Sequence, residues 1–222
     1  MAAALAQPAV DWKSLLTPAA IQDLSALSHA VSRTILSTAP DALNGKGLAQ
    51  AAATALQAPD PRLSLAGSVA LLVALEEAQG FQKAALAPLA EEESLRLALT
   101  VAGAGPPLAA SAAARALCAV AAAFPSSGSR DDARPRSRKV VAHLQAMLNA
   151  HPKATLMQEA FAQGCCALLA GDHPAVNTQA GSLFVALWPL AVHPRADIAS
   201  AAATCLCRLT RYARRSSGPV SG

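Results

Sequence analysis

The sequence predicts an all-α chain built as an α-solenoid, a stack of roughly four to five helical repeats. Three observations predict it. Alanine and leucine, both strong helix formers, dominate, while aromatics make up 3% of the chain and β-branched residues are sparse. Prolines at 18, 40, 61, 88, 107, 152, 174 and 194 punctuate it. Proline is tolerated in the first turn of a helix and resisted inside one, so these mark helix starts and inter-helix turns. Lastly, the chain repeats itself: His151-Pro152-Lys153-Ala154 opens a segment that His193-Pro194-Arg195-Ala196 opens again 42 residues later. That register lays Leu156 on Ile198, Ala160 on Ala202 and Cys165 on Cys207. A fixed period of this size means that one unit cannot bury its apolar face alone and stacks on its neighbours.

Taken in order, an irregular opening pair of helices is expected at 18–37 and 43–57, as befits a terminal capping unit. Four long helices of one pattern follow at about 61–79, 107–123, 152–170 and 194–213, their first prolines 46, 45 and 42 residues apart. Thr17-Pro18 and Asp60-Pro61 read as N-cap plus first-residue pairs, the side-chain oxygen taking an orphan backbone N–H. In the last long helix Ile198, Ala202, Cys205 and Leu209 recur at three- and four-residue spacing, on one face. Shorter helices are expected at 81–86, 90–101 and 139–150. The stretch 125–138 holds turn residues and charges without apolar periodicity and reads as a mobile loop. The organisation is therefore an N-terminal arm at 1–16, a solenoid at 17–213 and a disordered basic tail at 214–222.

From 172 the chain reads Asp-His-Pro-Ala-Val-Asn-Thr-Gln-Ala-Gly, then Ser-Leu-Phe-Val-Ala-Leu-Trp-Pro-Leu-Ala-Val, then His-Pro-Arg-Ala-Asp-Ile. This resembles an armadillo repeat, with Gly181 at the glycine that ends the short first helix, 182–192 as the second helix and the run from Pro194 as the third. The resemblance is clearest over 139–213 and weaker over 60–123, and armadillo grades into HEAT. It implies a right-handed solenoid with a concave groove, lined by the third helices, that binds a peptide or helix of a partner protein. Relatives that bind basic nuclear-import signals carry a tryptophan there and an asparagine four residues on. The matching positions hold Val73 and Glu77, Cys118 and Ala122, Cys166 and Ala170, and Arg208 and Tyr212, so import-receptor chemistry is not expected.

Charge adds detail. A net charge of +4, with 14% of residues charged, is thin for a protein that neutralises many phosphates. Arg208, Arg211, Tyr212 and Arg215 cluster at the end of the last helix, either as a site for an acidic or amphipathic partner segment or as cations that complement the helix dipole. Glu77 gives the expected groove its opposite polarity. Arg134, Arg136, Arg138 and Lys139 form a basic run that suits either phosphate contact or plain solvation, and it supports an alternative nucleic-acid-associated function. A structural subunit of a larger complex is the other alternative.

No enzyme motif is found. Glu76, Glu77, Glu91, Glu92 and Glu93 form an acidic patch with no evident pocket, and the five histidines follow no triad or HExxH order. Gly45-Lys46-Gly47 lacks the phosphate-loop spacing. Cys118, Cys165, Cys166, Cys205 and Cys207 lack zinc spacing and read as reduced core residues, so no metal, cofactor or small-molecule substrate is expected. Trp188 is expected to pack between repeats, and Trp12 either staples the arm down or stands out as an anchor. The N-terminus lacks signal-peptide character, and the apolar run 63–75 is too short to span a membrane. A non-catalytic interaction module of the cytoplasm or nucleus is the expectation.

Overall fold

Short polar side chains decide where several helices begin. Asp11, Asp23, Asn44 and Asp60 each accept a backbone N–H two or three residues on, at 2.8 to 3.1 Å, relieving donors that a helix start leaves unpaired. The computed structural model describes residues 8–19, 21, 23–124, 130–170 and 179–216; of 130–138 and 212–216 only the helical backbone is described. Every regular element among the described residues is helical, with no strand.

The helices are α1 Trp12–Leu15, α2 Leu24–Ser37, α3 Gly45–Leu56, α4 Pro61–Glu77, α5 Gly80–Ala85, α6 Pro88–Glu91 and α7 Glu93–Ala102. They continue with α8 Pro107–Ala123, α9 Arg130–Ala150, α10 Thr155–Ala170, α11 Ala180–Leu187 and α12 Ala196–Ser216. Single 3₁₀ turns stand at Pro40–Ala42 and Pro189–Val192. The chain divides into two compact units, Met1–Ala116 and Leu117–Gly222.

In the first unit α3 is the central element, packed against α1, α4, α6 and α7. Leu48, Ala49, Ala51, Ala52, Ala53, Ala55 and Leu56 are all buried, the pattern of a helix apolar on nearly every side. The chain comes so close at its start that a Cβ on Gly45 would lie 2.4 Å from the Ala85 carbonyl oxygen. The segment before α3 is held by Trp12, buried with its indole N–H donated to the Leu43 carbonyl at 2.7 Å, and by the Val10 N–H on Ala42 at 2.9 Å. Trp12 is thus a staple, and the described part of the expected arm is packed into the first unit. Residues 1–7 lie outside the described residues.

In the second unit α10 packs most extensively on α12, which also meets α11 and the Pro189–Val192 turn, while α9 packs on α10. Leu144, Met147, Met157, Phe161, Leu168, Leu183, Leu187, Ile198, Leu206 and Leu209 are buried there.

Several boundaries differ from expectation. Thr17-Pro18 opens a turn, and α2 starts later, behind Asp23. Pro152 and Pro194 stand in turns ahead of α10 and α12, outside the helices they were expected to open. The expected helix at 90–101 is two, α6 and α7, meeting at Glu92. Residues 130–138, expected in a loop, are the first turns of α9; their arginines, alanine and early carboxylates favour a helix start despite Pro135. Residues 214–216, assigned to the tail, belong to α12.

The repeat register also shifts. Buried residues of α10 and α12 match at an offset of 41: Met157 with Ile198, Phe161 with Ala202, Cys165 with Leu206 and Leu168 with Leu209. The helix starts, Thr155 and Ala196, have the same offset. Cys207, paired with Cys165 by the His-Pro motif, is exposed while Cys165 is buried.

Trp12→Phe keeps most of the apolar area but removes the donor to Leu43. Chemical denaturation is expected to show a loss of about 1–3 kcal/mol, the cost of a buried acceptor left without its partner.

Candidate functional site

Alanine and cysteine recur along the contact of α10 with α12, and their small side chains let the two backbones come close. Cys166, half-buried on α10, places Sγ 3.0 Å from Sγ of Cys205, which is fully buried on α12. Each thiol also reaches the opposite backbone: Cys166 Sγ lies 3.2 Å from the Ala201 oxygen and Cys205 Sγ 3.6 Å from the Ala162 oxygen. Each carbonyl lies four residues before the cysteine of its own helix, so the two sulfurs sit in reciprocal positions. Arg208, one turn beyond Cys205 on α12, donates from Nη1 to the Cys166 carbonyl at 3.0 Å.

The hydrogen bond from Cys205 and the nearby Arg208 charge outweigh burial and bring the Cys166 thiol down to about 7. The same bond, with burial added, pushes the Cys205 thiol up, because its proton is the one shared. Burial pushes Cys118 up to about 12 and raises Cys165 strongly, the latter with a further push from Cys118 and Cys166. Only the thiolate is a nucleophile, so the four thiols are sharply ranked and Cys166 leads.

Cys118 of α8 packs on α10 at Gly164, two residues before Cys166. A Cβ on Gly164 would fall 2.3 Å from Cys118 Sγ and 3.2 Å from its Cβ, so α10 needs glycine to pass there. At the start of α12, Arg195 donates to Glu159 of α10 at 2.9 Å and to Asp197, an exposed ion-pair network that orients the two helices more than it stabilises them.

Of the residues singled out by sequence, Arg208 and Arg211 share α12, the first half-buried against α10 and the second exposed. The side chains of Tyr212 and Arg215 lie outside the described residues, as do those of Arg134, Arg136 and Arg138, while Lys139 is exposed on α9. Glu77 is the last residue of α4 in the first unit, half-buried. Trp188 corrects its expectation: it is 61% exposed and stacked on Phe184 at a ring-centroid distance of 5.7 Å. Trp188 keeps helical backbone angles and donates its N–H to the Phe184 carbonyl, so it stands on the Phe184 side of α11, whereas Leu187 and Leu190 are buried. Val185 and Val192, before and after it in the chain, are 73% and 82% exposed.

The thiol pair was not anticipated. Its sequence signal is faint, two cysteines in consecutive long helices, and the 42-residue register conceals it by pairing Cys165 with Cys207. Reading all five cysteines as core residues suits Cys118, Cys165 and Cys205 but not exposed Cys207 or half-buried Cys166.

Among the described residues no group of three or more histidine, cysteine or acidic side chains is placed to hold a metal ion. Nor is any helix there long and apolar enough to cross a membrane. Compared with protein-family models, with curated proteins and with solved structures, the chain finds no match.

Gly164→Ala gains helix propensity of about 0.5–1 kcal/mol but meets an overpacking cost of about 1–3 kcal/mol. A net loss of stability is expected in denaturant titration, and adding Cys118→Ala should recover it. Alkylation of Cys166 by iodoacetamide should rise with pH through about 7, as its thiolate forms. Arg208→Gln should move that rise to higher pH, and Cys205→Ala should move it further, because the hydrogen bond is the larger cause.

Proposed function

We propose that the chain is a non-catalytic interaction module, a solenoid of armadillo- or HEAT-like units that holds an amphipathic, acidic segment of a partner protein. The observation that carries this reading is Trp188, 61% exposed and stacked on half-buried Phe184, with Val185 and Val192 also exposed within the same short stretch of chain. Large apolar side chains gathered on one surface of a folded chain mark contact sites, and tryptophan is enriched among the residues that dominate binding energy. Arg211, exposed on α12, and the net charge of +4 favour carboxylates on the partner. In this reading α10 and α12 act as third helices of the second unit, with Arg208, Arg211, Tyr212 and Arg215 as its partner contacts, and α4, which ends at Glu77, is a third helix of the first unit. Free thiols agree with the reducing conditions of the cytoplasm or nucleus.

The test is a tagged chain carrying a photo-crosslinking residue in place of Val185. One partner polypeptide should be captured, and Trp188→Ser and Arg211→Glu should each cut its yield about tenfold with unchanged thermal melting. Equal capture by both variants overturns the reading. Recovery that a nuclease abolishes, with steep loss on adding salt, would point instead to nucleic acid.

A further inference from the structure

The partner surface leaves the thiols of the second unit without a role. Their arrangement differs from that of inert core cysteines in three respects. Cys166 and Cys205 stand on different helices yet touch, at 3.0 Å between sulfurs, so a disulfide of ~2.05 Å needs only about 1 Å of approach. One of them, Cys166, is half-open to solvent, whereas Cys205 is wholly buried behind it. A guanidinium, that of Arg208, is fixed beside Cys166 by its bond to the Cys166 carbonyl, supplying positive charge where a thiolate would form. These are the accessibility, charge and resolving neighbour that an oxidisable cysteine requires.

We propose that Cys166 and Cys205 form a peroxide-oxidisable dithiol, a modification site at which a hydroperoxide closes a disulfide between α10 and α12. In the first step the Cys166 thiolate attacks one peroxide oxygen. The S–O bond forms, the O–O bond breaks, and the departing oxygen leaves as hydroxide or alkoxide and takes a proton. The sulfur is oxidised by two electrons to sulfenic acid and the peroxide is reduced. In the second step the Cys205 sulfur attacks Cys166. The S–S bond forms, the S–O bond breaks, and the hydroxyl leaves as water with the proton of Cys205. Two thiols and one hydroperoxide thus give a disulfide, an alcohol (water, for hydrogen peroxide) and one water. A low-molecular-weight thiol reverses the reaction by exchange, itself becoming a disulfide.

The neighbouring thiols are poorly placed to compete. Cys165 and Cys118 are buried with their thiols held protonated, and adjacent cysteines on one helix point to different sides. Cys207 is exposed but lies two residues from Cys205, round the helix on another face.

The test uses the whole reduced chain and equimolar hydrogen peroxide at neutral pH, with peptide mapping of the unreduced product. The expected result is a Cys166–Cys205 disulfide as the main product, lost on adding glutathione. In Cys205→Ala the sulfenic acid should persist on Cys166 and be trapped by dimedone. In Cys166→Ala peroxide consumption should fall at least tenfold. Oxidation mainly at Cys207, a Cys165–Cys166 bridge, or Cys166 passing to sulfinic acid in the wild-type chain without bridging would each overturn the proposal. The wild-type mapping decides the matter even where a variant fails to fold. It involves no partner, so its outcome is independent of the binding reading.

Discussion

The closeness of α10 to α12 is the constraint on which the second unit depends. Helix pairs lined by larger side chains stand about 8–10 Å apart. Here alanine and cysteine recur along the contact, so the backbones can approach until one helix's thiols reach the other's carbonyls. That approach brings Cys166 against Cys205 and lets Arg208 find the Cys166 carbonyl, while on another side of α10 Cys118 of α8 leaves no room for a Cβ at Gly164. The first unit obeys the same rule, since α3 buries alanines on several sides and starts at a glycine pressed on the Ala85 backbone. Small residues bury little area each, so cohesion comes from many contacts at native density. Such a packing tolerates deletions of bulk poorly and additions worse.

The all-helical character was legible because alanine-rich composition, proline spacing and capping residues agree with one another. Asp60-Pro61 starts α4 and Pro107–Ala123 is a helix as read. Legibility ended where two local signals compete. Thr17-Pro18 has the form of a helix start, yet Ile21 turns inward to the core and α2 waits for Asp23. Pro135 and the lack of apolar rhythm outweighed good helix formers in 130–138, although a helix needs an apolar stripe only where it is buried. The His-Pro motifs match over a longer turn before α10 than before α12, and the identity alignment therefore runs one residue out of step with the helices. One residue on a helix is about 100° of rotation, enough to put Cys165 in the core and Cys207 in solvent.

The site was legible in its charges more than in its contacts. Arg208 and Arg211 were found because they cluster with Arg215 at the end of the last helix, but charge alone does not show that Arg208 is engaged with the backbone of α10. Trp188 was expected to pack between repeats, but one helical turn on from Phe184 it falls on the open side of α11. The thiol pair depends on how two helices cross, which residue types in sequence do not encode. Exposed Trp188, and a thiol pair of half-buried Cys166 and buried Cys205 beside Arg208, are two distinct features of the second unit.

The register of α10 on α12 is the central structural claim, and two-cysteine chains test it most directly. In one chain only Cys166 and Cys205 remain, and in the other only Cys165 and Cys207, the rest being alanine. Both are exposed to a mild oxidant while folded, and the rate of intramolecular disulfide formation is measured. The account predicts fast closure of 166–205 and none of 165–207 without denaturant. Fast closure of 165–207, or equal rates for both, would mean that the helices pass each other in a different register and would contradict it.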